Sequence, residues 1–131
     1  MPHLSIEYSR NLEARLDLPA LLAVLRDAAV ETGVFPPAGI RVRAFAADHV
    51  LIADGDPKHG FIDISIRLRG GRSAEDMARA TAHVFAAAEA FCAADMAAHS
   101  LMLSLEMRDI DPELSPKASS IRRFLPKDMQ A

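Results

Sequence analysis

The feature that most constrains the fold of this chain is a pattern of apolar residues that appears twice. In each half of the chain, a segment that alternates apolar and polar residues precedes a segment with helical spacing, and a second alternating segment follows it. Such a strand–helix–strand unit pairs its two strands in parallel through a right-handed crossover. The predicted elements are strands over residues 1–8, 40–44, 61–69 and 101–108 and helices over 18–32 and 74–97.

The alternation also predicts how the sheet is covered. In the third predicted strand, Ile62, Ile64 and Ile66 point to one face, and the intervening polar side chains point to the other. Because both helices must cover the apolar face, the sequence predicts an α+β fold (an α/β two-layer arrangement), in which a tandem β-α-β repeat forms a four-stranded mixed sheet with two helices on one face. The opposite face carries arginines, serines and acids but also Phe61 and Met102. Such a half-polar face can simply face water, or it can pack against partner subunits, which is a serious option in a chain this small.

Capping residues mark the expected ends of the helices. Asp17 stands two residues before Pro19, and an aspartate cap with proline in the first turn is typical of a helix start. Gly33 is expected to end that helix, and Ser73 is a good N-cap for the second helix. Residues 46–60 are predicted to form a loop or an irregular hairpin.

Length and composition limit the class of protein. A chain of 131 residues fits one domain, residues 1–131, and half of the residues are hydrophobic. With a formal charge of −3 and scattered basic residues, the chain gives no electrostatic reason to expect a nucleic-acid partner. No apolar run approaches about 18 residues and no signal-peptide pattern opens the sequence, so no membrane partner is expected. The lone Cys92 is expected to be buried and fits a reducing compartment.

The first predicted strand is unusual because it begins at the N-terminus. If Met1 is removed, Pro2 carries a secondary amine at the start of a strand, where the sheet holds it in place. Burial or nearby cations lower the pKa of an α-amino group, which can then act as a general base near neutral pH. The alternative is that Met-Pro is a common way for a chain to begin, and the dipeptide alone does not decide between the two.

Three arginines are candidate anion-binding residues. Arg41 and Arg43 share one face of the second predicted strand, and Arg72 immediately precedes the second helix. A guanidinium can bind a carboxylate through two parallel hydrogen bonds and can stabilise a developing enolate. However, a strand arginine is more often a solvated side chain or an ion-pair partner. The histidines lack the close pairing that is typical of metal ligands, so no metal is expected.

A set of short motifs spans nearly the whole chain. The motifs are Pro2, Asp17-Leu18-Pro19, Thr32-Gly33-Val34-Phe35-Pro36, Gly39-Ile40-Arg41-Val42-Arg43, Ala53-Asp54-Gly55, Gly70-Gly71-Arg72-Ser73, Leu103-Ser104-Leu105-Glu106 and a tail with Pro112. Each motif is short, but in this order and spacing they resemble the tautomerase (macrophage migration inhibitory factor-like) superfamily. Within it, the chain is most similar to the 5-carboxymethyl-2-hydroxymuconate isomerase family.

The resemblance implies a cytoplasmic, homotrimeric enzyme of bacterial aromatic-acid breakdown, in the homoprotocatechuate (4-hydroxyphenylacetate) pathway. Members of that family use no metal or organic cofactor, and they convert a small-molecule tricarboxylate dienol to the conjugated ketone by a 1,3-proton shift. By the same resemblance, Pro2 is the catalytic base and Arg41 and Arg72 contact substrate carboxylates. Arg43 is a looser candidate for substrate binding, because it shares a face with Arg41.

Two alternatives remain open from the sequence. The chain could use Pro2 on a different substrate, either as a general enol–keto tautomerase or as a relative that hydrates or dehalogenates small unsaturated acids. It could also be a non-catalytic trimeric relative if Met1 is retained, because Pro2 would then be an amide without a basic nitrogen.

Overall fold

A computed structural model describes residues 1–130 of the chain. Four strands and two α-helices follow one another in the predicted order. They are β1 (His3–Ser9), α1 (Leu18–Glu31), β2 (Arg41–Ala47), β3 (Gly60–Arg69), α2 (Ala74–Ala98) and β4 (Leu101–Ile110). Short 3-10 turns lie at Arg10–Ala14, Pro37–Gly39, Pro112–Leu114, Ile121–Phe124 and Lys127–Met129.

The four strands form one mixed sheet in the order β2-β1-β3-β4. Strands β1 and β2 are parallel, as are β3 and β4, and the two units meet where β1 pairs antiparallel with β3. Each parallel pair is joined by one helix, so the tandem β-α-β prediction is confirmed. In this arrangement the first residues of β1 lie beside the end of β3, since His3 is opposite Arg67.

The core lies between the helices and one face of the sheet, as the alternation predicted. Leu4 and Ile6 of β1 and Ile64 of β3 are fully buried, together with Leu25 of α1 and Val84 of α2. Burying one such side chain contributes roughly 1.5–3 kcal/mol relative to leaving it exposed. Cys92 belongs to the same core and is fully buried, and burial raises the pKa of its thiol. The predicted structural role of this cysteine therefore agrees with its position.

Both predicted helix caps are present. The carboxylate of Asp17 accepts a hydrogen bond from the backbone N–H of Ala20 at 3.1 Å, and the hydroxyl of Ser73 accepts one from Asp76 at 3.0 Å. Gly33 follows α1 with φ of +71°, a conformation that costs glycine little. The caps fix where each helix begins, and the second cap places Arg72 directly before α2.

The segments that flank the strands can be compared with the sequence prediction. Strand β1 begins at His3 rather than at the terminus, because Pro2 has no N–H to donate to a neighbouring strand. The segment after β1 is a 3-10 turn rather than a plain loop. Of the two predictions for residues 46–60, the loop is confirmed over residues 48–59, where Asp54 and Asp56 accept hydrogen bonds from the backbone two residues further on, which favours tight turns.

A buried ion pair ties the first turn of the fold to the end of α2. Arg15 Nε donates to Asp95 Oδ1 at 3.0 Å, and Arg15 Nη2 also donates to the carbonyl of Ser100 at 3.2 Å. The side chains of Arg15 and Asp95 are only 14% and 5% exposed. The arginine holds the pKa of the Asp95 carboxyl below its usual range.

The second face of the sheet has polar side chains interspersed with exposed apolar ones. Phe45 on β2 and Met102 on β4 are 55% and 65% exposed in the single chain. They lie on the two edge strands of the sheet, so the open face carries an exposed apolar side chain at each edge. Within residues 1–130, no helix combines the length and the apolar character needed to cross a membrane.

Candidate active site

The N-terminal segment is held firmly against the fold. The side chain of Pro2 is fully buried, and its carbonyl accepts a hydrogen bond from the backbone N–H of Arg41 at 3.2 Å. Gly39 closes the other side of the proline: a Cβ added there would lie 3.1 Å from Pro2 Cδ. Glycine is therefore the residue that leaves enough space for the proline ring. In the chain that begins at Met1, the nitrogen of Pro2 is an amide and the terminal amine belongs to Met1.

A cavity of about 300 Å³ opens beside this segment. This volume is at the lower end of the range for small-molecule sites, roughly 300–1,000 Å³. Met1 and Pro2 form part of its wall, with Pro36, Ala38, Gly39 and Ser119. Four basic side chains complete the lining, and no carboxylate of residues 1–130 borders it: Arg69, Arg72, Lys117 and Arg122.

The guanidinium of Arg72 is fixed at the cavity wall by backbone carbonyl groups. Its Nε donates to the carbonyl of Val34 at 3.3 Å, and its Nη1 donates to the carbonyl of Arg69 at 2.6 Å. The turn that brings it back towards Arg69 contains Gly71 with φ of +110°, which glycine alone adopts without strain. Arg72 is thus positioned before any ligand binds, which lowers the entropic cost of holding an anion.

The surroundings of the N-terminus disfavour a charged amine. Burial lowers the pKa of the Met1 α-amino group, and the positive charges of Lys117, Arg41, Arg69 and Arg72 lower it further. The lowered pKa gives this terminal amine a larger neutral fraction near neutral pH.

Arg41 and Arg43 meet at His3 instead of at this cavity. Arg41 Nη2 lies 2.7 Å from His3 Nε2, and Arg43 Nη1 lies 3.3 Å from His3 Nδ1. Burial lowers the pKa of His3 to about 4, and the charges of Arg41, Arg67 and Arg43 act in the same direction. At neutral pH the imidazole is therefore uncharged, and the closer contact is the one in which Nε2 accepts a hydrogen bond from Arg41.

Arg41 borders a second cavity, of about 390 Å³, which adjoins the first one. Met1 and Lys117 line both cavities, and Arg41 Nη1 lies 3.6 Å from the sulfur of Met1. The structure thus brings two of the four candidate residues, Pro2 and Arg72, to one cavity. It places Arg41 at the neighbouring cavity, and it places Arg43 against the Nδ1 side of the His3 ring.

Three basic residues at the first cavity were not singled out from the sequence. Arg69 ends β3, where alternation only placed it with the other polar side chains on the face opposite the helices. Lys117 and Arg122 belong to a tail rich in proline and serine whose path has no periodic signal. The only hint in the sequence was that basic residues recur in a tail that follows the last strand.

Comparison with known proteins gives the family. The model of the 5-carboxymethyl-2-hydroxymuconate isomerase family matches residues 2–125. The chain belongs to this family. The match extends over both β-α-β units and most of the tail, so the family resemblance read from the short motifs is confirmed. A family of isomerases also makes this chain an enzyme of the isomerase class.

Individual relatives agree with the family match. The 5-carboxymethyl-2-hydroxymuconate Delta-isomerase of Escherichia coli is 33% identical over 121 residues, which are 92% of this chain and 96% of that protein. A crystal structure of a 5-carboxymethyl-2-hydroxymuconate delta-isomerase is 30% identical with a TM-score of 0.89, covering 97% of this chain and 94% of that one. The 5-carboxymethyl-2-hydroxymuconate isomerase of Deinococcus radiodurans R1 is 32% identical with a TM-score of 0.85, covering 95% of each chain.

A more distant solved structure shares the fold alone. It is a fused 4-OT protein described as a symmetric trimer, 24% identical with a TM-score of 0.57, and the match covers 83% of this chain and 85% of that one.

Proposed function

We propose that this chain is a 5-carboxymethyl-2-hydroxymuconate delta-isomerase that converts a dienol to the conjugated ketone by a 1,3-proton shift. The observation that carries the proposal is the cavity at the start of β1, which is bordered by Pro2 and four basic side chains and by no carboxylate of residues 1–130. Such a cavity attracts a substrate with several carboxylates. Membership of the isomerase family, with a named relative in Escherichia coli, supports the type of reaction.

Pro2 is the proposed base, and this role requires removal of Met1. The neutral secondary amine takes the proton of the enol hydroxyl, and the resulting prolinium returns a proton to the far carbon of the diene, so that the remaining double bond is conjugated with the new carbonyl. Relative to the unconjugated keto isomer, this outcome is a 1,3-proton shift along the carbon chain. The substrate gains and loses one proton, and no electrons are exchanged with the protein. Positioned acid–base groups of this kind typically contribute about 10²–10⁴-fold to the rate.

Arg72 and Arg41 are the proposed contacts to substrate carboxylates and to the enolate oxygen. Arg72 is already held by two carbonyl groups. Arg41 lies in the adjacent cavity, with Met1 between the two. We infer that loss of Met1 joins these cavities, so that Arg41 reaches a substrate beside Pro2. Arg43 stays a candidate for substrate binding, and its contact to His3 favours a role in orienting the imidazole that Arg41 touches.

We infer that the functional unit is a homotrimer. The exposed Phe45 and Met102 on the open face of the sheet need a covering surface, and a second copy of the same chain supplies one. The fused 4-OT protein of the same fold is described as a symmetric trimer, which supports this assembly. Sedimentation at micromolar concentration should give a species close to three times 14.2 kDa, and a stable 14 kDa species would contradict the inference.

The rest of the proposal follows from the family. Residues 1–131 act as a single tautomerase-like domain, without a metal or organic cofactor, in the breakdown of homoprotocatechuate. We propose a cytoplasmic location, which agrees with a single buried cysteine and a reducing compartment.

A second candidate function keeps the same base but changes the substrate. The same Pro2 amine and the same arginines could act on another enol or on an unsaturated acid. If Met1 persists, the chain becomes a non-catalytic trimeric relative, because the amide of Pro2 cannot accept a proton.

An ultraviolet assay with the muconate dienol tests the proposal, on protein whose N-terminus has been verified by intact mass. We expect turnover of the muconate, and a reduced but measurable rate for Pro2→Ala, because alanine leaves a primary amine in nearly the same place. Turnover of phenylenolpyruvate without turnover of the muconate would instead support the second candidate. A processed protein that acts on neither substrate would contradict the proposed function and would exclude phenylenolpyruvate as the substrate of the second candidate.

A further inference from the structure

The C-terminal tail supplies half of the positive charge at the candidate active site. After β4 the chain turns back at Pro112–Leu114, and Lys117 and Arg122 both line the cavity beside Pro2. Arg69 and Arg72 line the same cavity from the end of β3 and from the residues before α2. Four cations around one small cavity are unusual in a chain whose formal charge is −3, and their mutual repulsion is relieved when anions bind between them.

A hydrogen bond fixes the place where the tail leaves β4. The N–H of Gly70 donates to the carbonyl of Ile110 at 3.0 Å, which fixes the end of β4 beside the turn that carries Arg72. Further along, Ile121 and Leu125 border a groove with Val30 of α1. The start of the tail is therefore fixed beside the turn that carries Arg72, and its later part borders the groove at α1.

We propose that Lys117 and Arg122 bind carboxylates of the substrate and that the tail thereby gives the site its preference for polycarboxylate enols over monocarboxylate enols. This inference rests on the proposed function. The name 5-carboxymethyl-2-hydroxymuconate describes a molecule with three carboxylates: two belong to the muconate and one to the carboxymethyl group. A base and one arginine suffice for the proton shift on a single carboxylate-bearing enol, and the additional cations are needed only when further carboxylates enter the cavity.

Lys117 has a second consequence for the base. Among the charges that lower the pKa of the Met1 α-amino group, the charge of Lys117 acts most strongly. Replacing Lys117 by alanine should therefore raise the pKa of the amine, so that the rise of kcat/KM with pH moves to higher pH. Replacing Arg122 should not produce this shift. The pH profile thus separates a residue that faces the amine from one that contacts only the distal part of the substrate.

The tail also offers matched controls. Arg123 follows Arg122 directly but stacks on the ring of Phe124, 4.9 Å from the centroid, and Lys127 lies in the last 3-10 turn. Neither borders the cavity. All four basic side chains are exposed in the single chain, so we expect the alanine variants to fold alike and to have the same thermal midpoint as the parent.

The test compares Lys117→Ala, Arg122→Ala and the double variant with Arg123→Ala and Lys127→Ala, on the muconate and on the monocarboxylate phenylenolpyruvate. For each cavity variant we expect kcat/KM on the muconate to fall by about tenfold or more, mainly through KM, because a charge-assisted hydrogen bond is lost. The two substrates are compared at a pH above the pKa of the amine in each variant, so that the shift in the base does not contribute. On phenylenolpyruvate and in the controls the change should then stay within about threefold. Equal losses on both substrates, or no loss on the muconate, would overturn the inference.

A binding measurement separates this inference from the proposed function. Calorimetric titration with propane-1,2,3-tricarboxylate, which cannot tautomerise in this way, should give binding in the parent that is at least tenfold weaker in the double variant, whether or not the muconate is turned over. Propionate should bind parent and variant equally weakly. Absence of tricarboxylate binding to the parent, or equal binding in parent and double variant, would overturn the role of the tail. Failure of the proposed function alone would instead appear as intact binding without turnover.

Discussion

The contact between Gly39 and Pro2 predicts that Gly39→Ala impairs catalysis more than it impairs folding. An alanine Cβ would lie 3.1 Å from Pro2 Cδ, a distance that requires the proline to move by a few tenths of an ångström. Because Pro2 is fully buried and its carbonyl is bonded to Arg41, the ring has little freedom to move away. Overpacking of this kind costs about 1–2 kcal/mol of unfolding free energy. For 131 residues, with an unfolding entropy of about 0.28 kcal/mol per kelvin, the thermal midpoint should fall by about 4–7 °C.

The effect on catalysis should be larger, because proton transfer depends on the placement of the amine. A misplacement of 1 Å can cost about 100-fold, so a shift of a few tenths of an ångström should lower kcat by about tenfold. The ultraviolet assay and a thermal melt of the same preparation measure both effects. Gly70→Ala is the matched control, since its Cβ would meet the carbonyl of Ile110 at an ordinary 3.5 Å. A Gly39→Ala protein with parental kcat and thermal midpoint would refute the claim that Pro2 is tightly held.

Three further predictions concern charge. Asp95→Ala leaves Arg15 with only the Ser100 carbonyl, so the unfolding free energy measured in urea should fall by about 3 kcal/mol. Because the pKa of Asp95 is lowered in the folded state, the stabilisation by this ion pair is present above about pH 4 and is lost as the pH falls further. The pKa of His3 is also lowered, to about 4, so the free energy of unfolding should decrease as the pH falls from about 6.5 towards 4. Denaturant titrations at pH 7 and pH 5 should show a smaller decrease for His3→Gln than for the parent. Arg41→Ala and Arg72→Ala should each lower kcat/KM by at least tenfold, and Arg41→Ala should change the thermal midpoint little. If kcat/KM of both variants stays within about threefold of the parent, neither arginine belongs to the substrate site.

The sequence predicted the layers of the fold because local patterns determine them. The alternation of Ile62, Ile64 and Ile66 defines one buried face, and a strand with such a pattern can pack in only one orientation. Asp17 and Ser73 are side chains whose hydrogen-bonding preferences act within three residues, so the starts of both helices followed from the sequence. These interactions are short in range or strictly periodic.

The composition of the site depended instead on contacts between distant segments. Arg41 was expected beside Pro2 in one substrate site, but its guanidinium contacts His3 across the β1–β2 pair. This contact depends on a neutral imidazole, because a protonated ring would repel the arginine. Lys117 and Arg122 reach the cavity through a tail without periodicity, and nothing local in its sequence specifies that path. The N-terminal proline and Arg72 could be named early because each is adjacent to an element with a clear boundary.

The measurement that tests the central claim most directly compares two preparations of the same sequence, one with Met1 removed and one with Met1 retained, with both masses confirmed. We expect kcat/KM of the processed protein to rise with pH through a single ionisation whose pKa lies below that of an ordinary prolyl amine, because burial and the cations around the cavity oppose its charge. The unprocessed protein should be nearly inactive, since the amide nitrogen of Pro2 cannot accept a proton. Equal activity of the two preparations would contradict the account, and the base would then have to be sought in another residue, such as His3 or Glu7.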